Sequence, residues 1–272
     1  MYETLSKNPN LIILDDPISS FDKNKKYAIL QMLFREDTSF KSKTVLMLTH
    51  DIEPIIDSVK ALGRIFKNQT NASFLQYKDE NITEKEIKKE NILTFTQICK
   101  NITEDKNINK ISKLIYLRRN FEILDDKGDE YQILSDLFHK RTKEDAKTYR
   151  QEKDSSLTGE QFEIDFSAGM KKLKKVISDF NYEDLLKTIK NQEGLKKIYE
   201  AAENGYEKLQ LFRIINGEFA KQDSFSDVMK KFINETYHIE NDLIHQLDPR
   251  EYDLIPEFIV KKCNDCISDL PK

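Results

Sequence analysis

Two short, unbroken apolar runs separated by an amphipathic stretch open the chain. Leu11-Ile12-Ile13-Leu14 runs straight into Asp15 and Asp16, with Pro9 before the run and Pro17 after it. A continuous run of this length predicts a strand buried on both faces. Thr44-Val45-Leu46-Met47-Leu48 is the second run, and it ends in Thr49-His50-Asp51. Between the two, Ile29, Leu30 and Leu33 share one face of a predicted helix, and Asp22 is placed to cap it. Strand, helix, strand at this spacing predicts a parallel crossover, which puts both polar ends on the same edge of one sheet. His50 is therefore expected beside Asp15 and Asp16.

The pattern then changes twice. Residues 61 to 93 carry short β-like runs, Arg64-Ile65-Phe66 and Ser73-Phe74-Leu75-Gln76-Tyr77, with a turn near Asp79-Glu80-Asn81. These are expected to finish the first sheet. From Ile55 to Asp248 there is no proline, and amphipathic groups recur, such as Ile108, Ile111, Leu114 and Ile115, then Leu195, Ile198, Tyr199 and Ala202. This predicts helices over residues 94 to 262. The polar stretch Lys143 to Gly159, with Asp154-Ser155-Ser156 inside it, predicts a loop. The expected organisation is an α/β lobe over residues 1–93, with parallel strands and a crossover helix, followed by a mainly α-helical domain over residues 94–272. No internal repeat or sustained heptad is present.

Two carboxylates at the carboxyl end of a buried strand are costly unless they act on something. In open α/β sheets that edge is where ligands bind. Adjacent carboxylates there suit a hydrated Mg²⁺ and an activated water, the needs of phosphoryl transfer.

These residues carry a family resemblance. LIILDDPISSFD resembles the Walker B strand and D-loop of ABC-type ATPases, and VLMLTHD resembles their switch histidine loop. The Asp-Asp-Pro-x-Ser-Ser-Phe-Asp wording is similar to the SMC/RecF-like branch, in particular to the ATPase parts of bacterial anticodon nucleases and related phage-defence proteins. The resemblance covers residues 1 to about 60. It implies a P-loop ATPase lobe using ATP and Mg²⁺, with the nucleotide clamped between the subunits of a homodimer. By that resemblance Asp15 would hold Mg²⁺ through water and Asp16 would orient or deprotonate the attacking water. Ser19, Ser20 and Asp22 would form the D-loop at the nucleotide interface, with Asp22 coupling the two halves, and His50 would contact the γ-phosphate. Many ABC proteins have Glu where this chain has Asp16, which is one methylene shorter.

The sequence contains no G-x-x-x-x-G-K-[ST], the loop whose backbone amides and Lys cradle phosphates, and no Leu-Ser-Gly-Gly-type signature. In ABC proteins both precede Walker B, and Met1 to Lys7 resembles the end of the helix that follows the signature. The chain is therefore expected to be the C-terminal part of a longer ATPase, or a gene product that begins inside one. Its expected partner is the missing N-terminal lobe, and alone it is not expected to bind ATP well.

Composition narrows the picture. The net charge is −4, so there is no bulk basic footprint for nucleic acid, and the run Lys171-Lys172-Leu173-Lys174-Lys175 reads as a solvated helix face. Mean hydropathy is −0.65 and no segment approaches 18 apolar residues, which excludes a spanning helix. Three cysteines without a secretory pattern predict a reducing, cytoplasmic setting. Cys263-Asn264-Asp265-Cys266 is a lone C-x-x-C with no second pair to complete a zinc site, so one helix face is the expected setting.

Two constellations in the helical region bear on chemistry. Arg118 and Glu122 share a helix face at i, i+4, and His139 is expected on a helix that folds back to them. Arg, Glu and His together suit metal-free RNA cleavage, and the set resembles the Arg-x-x-x-Glu and His of anticodon nucleases. The plainer reading is an intrahelical ion pair and a structural histidine. His238, Asp242 and His245 fall near one stripe beside Phe232, Ile233, Ile239 and Leu243, which suits a metal or nuclease site, or more commonly a buried polar network. The expected function is ATP hydrolysis. The alternatives are an ATPase-gated ribonuclease acting on tRNA or other RNA, and a non-catalytic remnant that binds partners, with DNA or tRNA as possible nucleic acids.

Overall fold

The computed structural model describes residues 6–18, 21, 23–34, 39–62, 69–78, 80–216 and 246–269. The chain divides into two compact units between Ile92 and Leu93. Ser19, Ser20, Asp22, the Arg64-Ile65-Phe66 run and the set His238, Asp242, His245 lie outside the described residues.

In the first unit, β1 (Leu11–Asp15) and β2 (Thr44–Leu48) pair in parallel, and α1 (Lys23–Phe34) is the crossover between them. The register runs from Leu11 opposite Thr44 to Asp15 opposite Leu48. Both strands therefore end level, and the residues that follow them emerge side by side. Leu30 of α1 is fully buried and Ile12 nearly so. The expected burial on both faces is not observed. Ile13 is 60% exposed, and Leu11, Leu46 and Leu48 are also exposed. Side chains alternate across a strand, so these residues form one open face of the pair while Ile12, Leu14, Val45 and Met47 form the other.

After β2, a short helix α2 (Ile52–Ile56) continues into a π-helical turn at Asp57–Leu62. β3 (Ser73–Lys78) and β4 (Asn81–Glu86) form an antiparallel hairpin, tightened at Glu80, whose φ of 63° is left-handed. The hairpin is a sheet of its own and does not extend the β1–β2 pair, contrary to expectation. Its strands satisfy each other across a tight turn. Every residue of β4 is exposed, in keeping with the charges at Glu84, Lys85 and Glu86.

The second unit is helical. α3 (Phe95–Glu104) starts from a capping box of Thr94 and Gln97, and buries Phe95, Ile98, Cys99 and Ile102 at helical spacing. α4 (Lys110–Ile123) is capped by Asn109, so Ile108 of the apolar series falls just before it. α5 (Asp129–Phe138), α6 (Lys143–Lys153), α7 (Gly159–Val176), α8 (Tyr182–Lys190), α9 (Gln192–Ala201), α10 (Gly205–Asn216) and α11 (Glu257–Ser268) follow. Successive helices pack as neighbours in the pairs α3–α4, α4–α5, α8–α9 and α9–α10, and α5–α7, α5–α8, α4–α10 and α10–α11 close the core. That core includes Leu114, Tyr116, Leu134, Phe162, Phe180, Leu195 and Leu211, each contributing about 1.5–3 kcal/mol on burial.

α6 overturns the expected loop at Lys143 to Gly159. Its sequence has almost no apolar face, and Ala146 is its buried residue. The helix forms because Thr142 and Asp145 make a reciprocal capping box and because Arg150 is held by Asp136 of α5. Only residues 154–158 are non-helical, in a turn closed by Asp154 accepting from the backbone and hydroxyl of Ser156. On α7, Leu173 is buried between exposed lysines, as the solvated-face reading requires. No helix among the described residues is long and apolar enough to cross a membrane.

Candidate functional site

The edge where β1 and β2 end gathers the acidic and imidazole groups. Asp16 leaves β1 with its N–H donating to the Leu48 carbonyl at 2.8 Å, so the backbone extends the ladder one residue beyond the strand. Its φ of 46° is left-handed, which turns the chain sharply away from the sheet. The turn leaves the Asp16 carboxylate over the end of β2. There the Nδ1 of His50 stands 3.1 Å from Asp16 Oδ2. Asp16 Oδ1 is buried and has no hydrogen-bond partner. Asp15 precedes the turn and is exposed.

His50 is held at one end only. Its side chain is 73% exposed, so the ring edge carrying Nε2 reaches solvent, and Asp51 Oδ1 is 3.9 Å from that nitrogen. Asp51 occupies the N-cap position of α2 yet makes no side-chain cap. Its Oδ2 instead accepts from Lys26 Nζ at 2.6 Å, while its own N–H donates to Thr49 Oγ1. Lys26 also pairs with Glu53 at 3.3 Å. The hydrogen bond to Asp51 raises the Lys26 pKa above its usual value against the opposing effect of burial, with Glu53 adding to it.

Sequence reasoning placed Asp15, Asp16 and His50 together at this edge, but gave no role to Lys26 or Asp51. Lys26 is the fourth residue in the run Lys23-Asn24-Lys25-Lys26, and nothing in the run marks it. The available signal was positional. A lysine in the first turn of a helix opposes the helix dipole, and it is tolerated here because two acids face it. Among the described residues no three His, Cys, Asp or Glu side chains converge as a metal set. A hydrated Mg²⁺ does not need one, since it binds through one or two carboxylates, waters and substrate phosphates. Exposed Asp15 fits that requirement, whereas Asp16 Oδ1 is closed off from solvent.

In the helical unit, Arg118 Nη2 pairs with Glu122 Oε1 at 3.0 Å, as i, i+4 spacing predicts. Arg119 pairs with Glu122 Oε2 at 3.2 Å, and the Tyr131 hydroxyl donates to Glu122 Oε1. The Arg118 guanidinium lies over the rings of Tyr131 and Phe138. His139 does not join them. It sits at the C-cap of α5, exposed, with Nδ1 2.7 Å from the Ser135 carbonyl one turn back. The fold therefore brings together two of the three residues and holds the histidine elsewhere.

A more deeply buried charge cluster, missed in the sequence, surrounds Asp136. Its carboxylate accepts from Arg141 through Oδ1 and from Arg150 Nε and Nη2 through Oδ2. Another polar group joins Ser112, Glu207 and Arg250. The Ser112 hydroxyl donates to Glu207 Oε2, and Arg250 Nε lies 3.1 Å from Oε1. The first cluster ties α5 to α6, and the second ties α4 to α10 and to the exposed Arg250. Cys263 and Cys266 lie on α11 as expected, the first buried and the second partly so. No family model matches this chain, and comparison with curated proteins and with solved structures finds nothing similar.

Proposed function

We propose that this chain supplies the catalytic carboxylates and the phosphate-facing histidine of a composite ATP-hydrolysing site. The phosphate-cradling loop would come from another polypeptide segment, and the nucleotide would lie between two subunits. The observation that carries the reading is the juxtaposition of Asp16 and His50 at the carboxyl end of a parallel strand pair, with Asp16 Oδ1 left without a partner.

In that reading Asp15 would hold Mg²⁺ through water, and the ion would supply neutralisation of phosphate charge. The Asp16 carboxylate would accept a proton from the attacking water as oxygen bonds to the γ-phosphorus and the bond to ADP breaks. The contact of Oδ2 with His50 would fix the orientation of the carboxylate. His50 needs a proton on Nδ1 to face Asp16, and to meet a γ-phosphate oxygen Nε2, on the solvent-facing edge of the ring, would have to carry a second proton, since a bare ring nitrogen only accepts. The ribonuclease alternative rests on Arg118 and Glu122 alone, with His139 engaged in its own helix.

The test is to tag this chain, purify the complex it forms in its native cells, and measure Mg-ATP hydrolysis. The wild-type complex is expected to turn over ATP. The Asp16→Asn complex is expected to bind ATP and turn over about a hundredfold more slowly, as loss of a positioned base does. Absence of hydrolysis, or an unchanged rate in Asp16→Asn, counts against the proposal. The isolated chain is expected to bind Mg-ATP with a Kd no tighter than about 1 mM in calorimetry, since the amide cradle and its lysine supply most phosphate contacts.

A further inference from the structure

We propose that Lys26 is a positioning residue that sets the tautomer and orientation of His50 through Asp51. This deepens the proposed function and rests on it. The link is a chain of contacts: Lys26 Nζ to Asp51 Oδ2 at 2.6 Å, Asp51 Oδ1 to His50 Nε2 at 3.9 Å, and His50 Nδ1 to Asp16 Oδ2 at 3.1 Å.

Three features show that the link is not an incidental surface pair. Lys26 is buried, in the first turn of α1, where a positive charge is disfavoured by both desolvation and the helix dipole. Asp51 stands at the N-cap of α2 and forgoes the cap in favour of Lys26. Finally, Lys26 has a second acid, Glu53, so its ammonium is anchored from two points and Asp51 cannot swing without breaking the group.

The consequence falls on His50. A carboxylate beside Nδ1 favours a proton there, and a carboxylate free to approach Nε2 favours a proton on that nitrogen instead. Lys26 holds Asp51 at 3.9 Å, beyond hydrogen-bond reach of Nε2. Asp16 then faces the nearer acceptor contact, and the Nδ1–H tautomer results. Nε2 is left bare at the exposed edge of the ring. Without Lys26, Asp51 is released to approach the ring and accept from Nε2–H.

The experiment reads the tautomer directly, by imidazole nitrogen chemical shifts of the ¹⁵N-labelled full chain at a pH where the ring is neutral. His50→Gln assigns the resonance among the four histidines. The Nδ1–H form is expected to dominate in the wild type, to become the minority form in Lys26→Met and to dominate again in Lys26→Arg. A folded Lys26→Met chain that keeps Nδ1–H as the majority form overturns the proposal, as does Lys26→Arg behaving like Lys26→Met. Should Lys26→Met fail to fold, judged by its helical circular dichroism, Lys26→Gln removes the charge while keeping a polar side chain, and the same two tautomer outcomes decide. The measurement needs no nucleotide. A failure of ATP hydrolysis therefore counts against the proposed function, and an unmoved tautomer counts against Lys26.

Discussion

Asp16 and His50 come from the ends of two different strands and stand 3.1 Å apart. The contact depends on the parallel register that sets Asp15 opposite Leu48, because only then do the next residues of each strand leave the sheet together. It also depends on the left-handed turn at Asp16, which swings the carboxylate across toward the second strand.

That turn can be tested apart from the chemistry. At φ 46° a Cβ is strained and glycine is not, so Asp16→Gly is expected to be more stable than Asp16→Ala by about 1 kcal/mol, although both lose the carboxylate. Urea unfolding of the two variants checks it. An alanine variant as stable as the glycine variant would mean that residue 16 has left the left-handed region.

Asp136 is the group whose loss should cost the helical unit most. Its side chain is almost fully buried and faces Arg141 and Arg150, both partly buried. Asp136→Ala leaves two guanidinium groups without their counter-charge and is expected to cost about 3–5 kcal/mol. Replacing all three residues together, by Leu at Asp136 and Met at Arg141 and Arg150, should recover much of that loss. A single substitution costing under about 1 kcal/mol would show that the cluster is not desolvated.

Gly169 marks the closest approach of α7 to α5. A Cβ there would lie 2.7 Å from Ile133 Cδ1 and 3.0 Å from the backbone carbon of Asp129. The side-chain atom can move and the backbone cannot. Gly169→Ala is therefore expected to destabilise by about 1–3 kcal/mol in spite of alanine's better helix propensity. Thermal melting of the variant reads the sign, and a higher midpoint would contradict the packing.

The thiols should divide by burial. Cys99 and Cys263 are buried, and burial pushes both pKa values up to about 12, whereas Cys266 is partly exposed and raised less. At pH 8 a thiol reagent is expected to modify Cys266 first, with Cys99 and Cys263 reacting only as the chain unfolds. The same shift predicts an alkaline stability loss. Above about pH 9 the unfolded chain gives up thiol protons that the folded chain keeps, so stability falls as pH rises toward 12. A smaller fall across that range in Cys99→Ala/Cys263→Ala than in the parent would assign part of the effect to these two residues, the rest belonging to Tyr116, Tyr182, Tyr199 and Cys266, whose pKa values burial also raises. An equal fall in both would exclude them.

The sequence by itself determined the strand–helix–strand crossover, because two apolar runs flanking one amphipathic stretch leave a single handed path. It also determined that His50 would arrive beside Asp16, and it determined α4 and α9, whose apolar residues recur at helical spacing. Only the tertiary structure decided which faces are covered. Leu11 and Ile13 read as core residues, yet they lie on an open face, because an apolar run reports hydrophobicity and not the presence of a covering layer. The hairpin of β3 and β4 pairs with itself for a related reason, since strand patterns do not name their partners. α6 escaped the sequence because its helix depends on a capping box and on Arg150 meeting Asp136, neither of which leaves an apolar period. Lys26 and Asp51 escaped because a buried ion pair is made by two groups distant in the chain, and each alone looks like an ordinary surface charge. His139 shares the α4–α5 neighbourhood with Arg118 and Glu122, but side-chain direction at the end of α5 sends its Nδ1 to the Ser135 carbonyl. Residue types and spacing limit what can meet, and the backbone turn at each terminus settles what does.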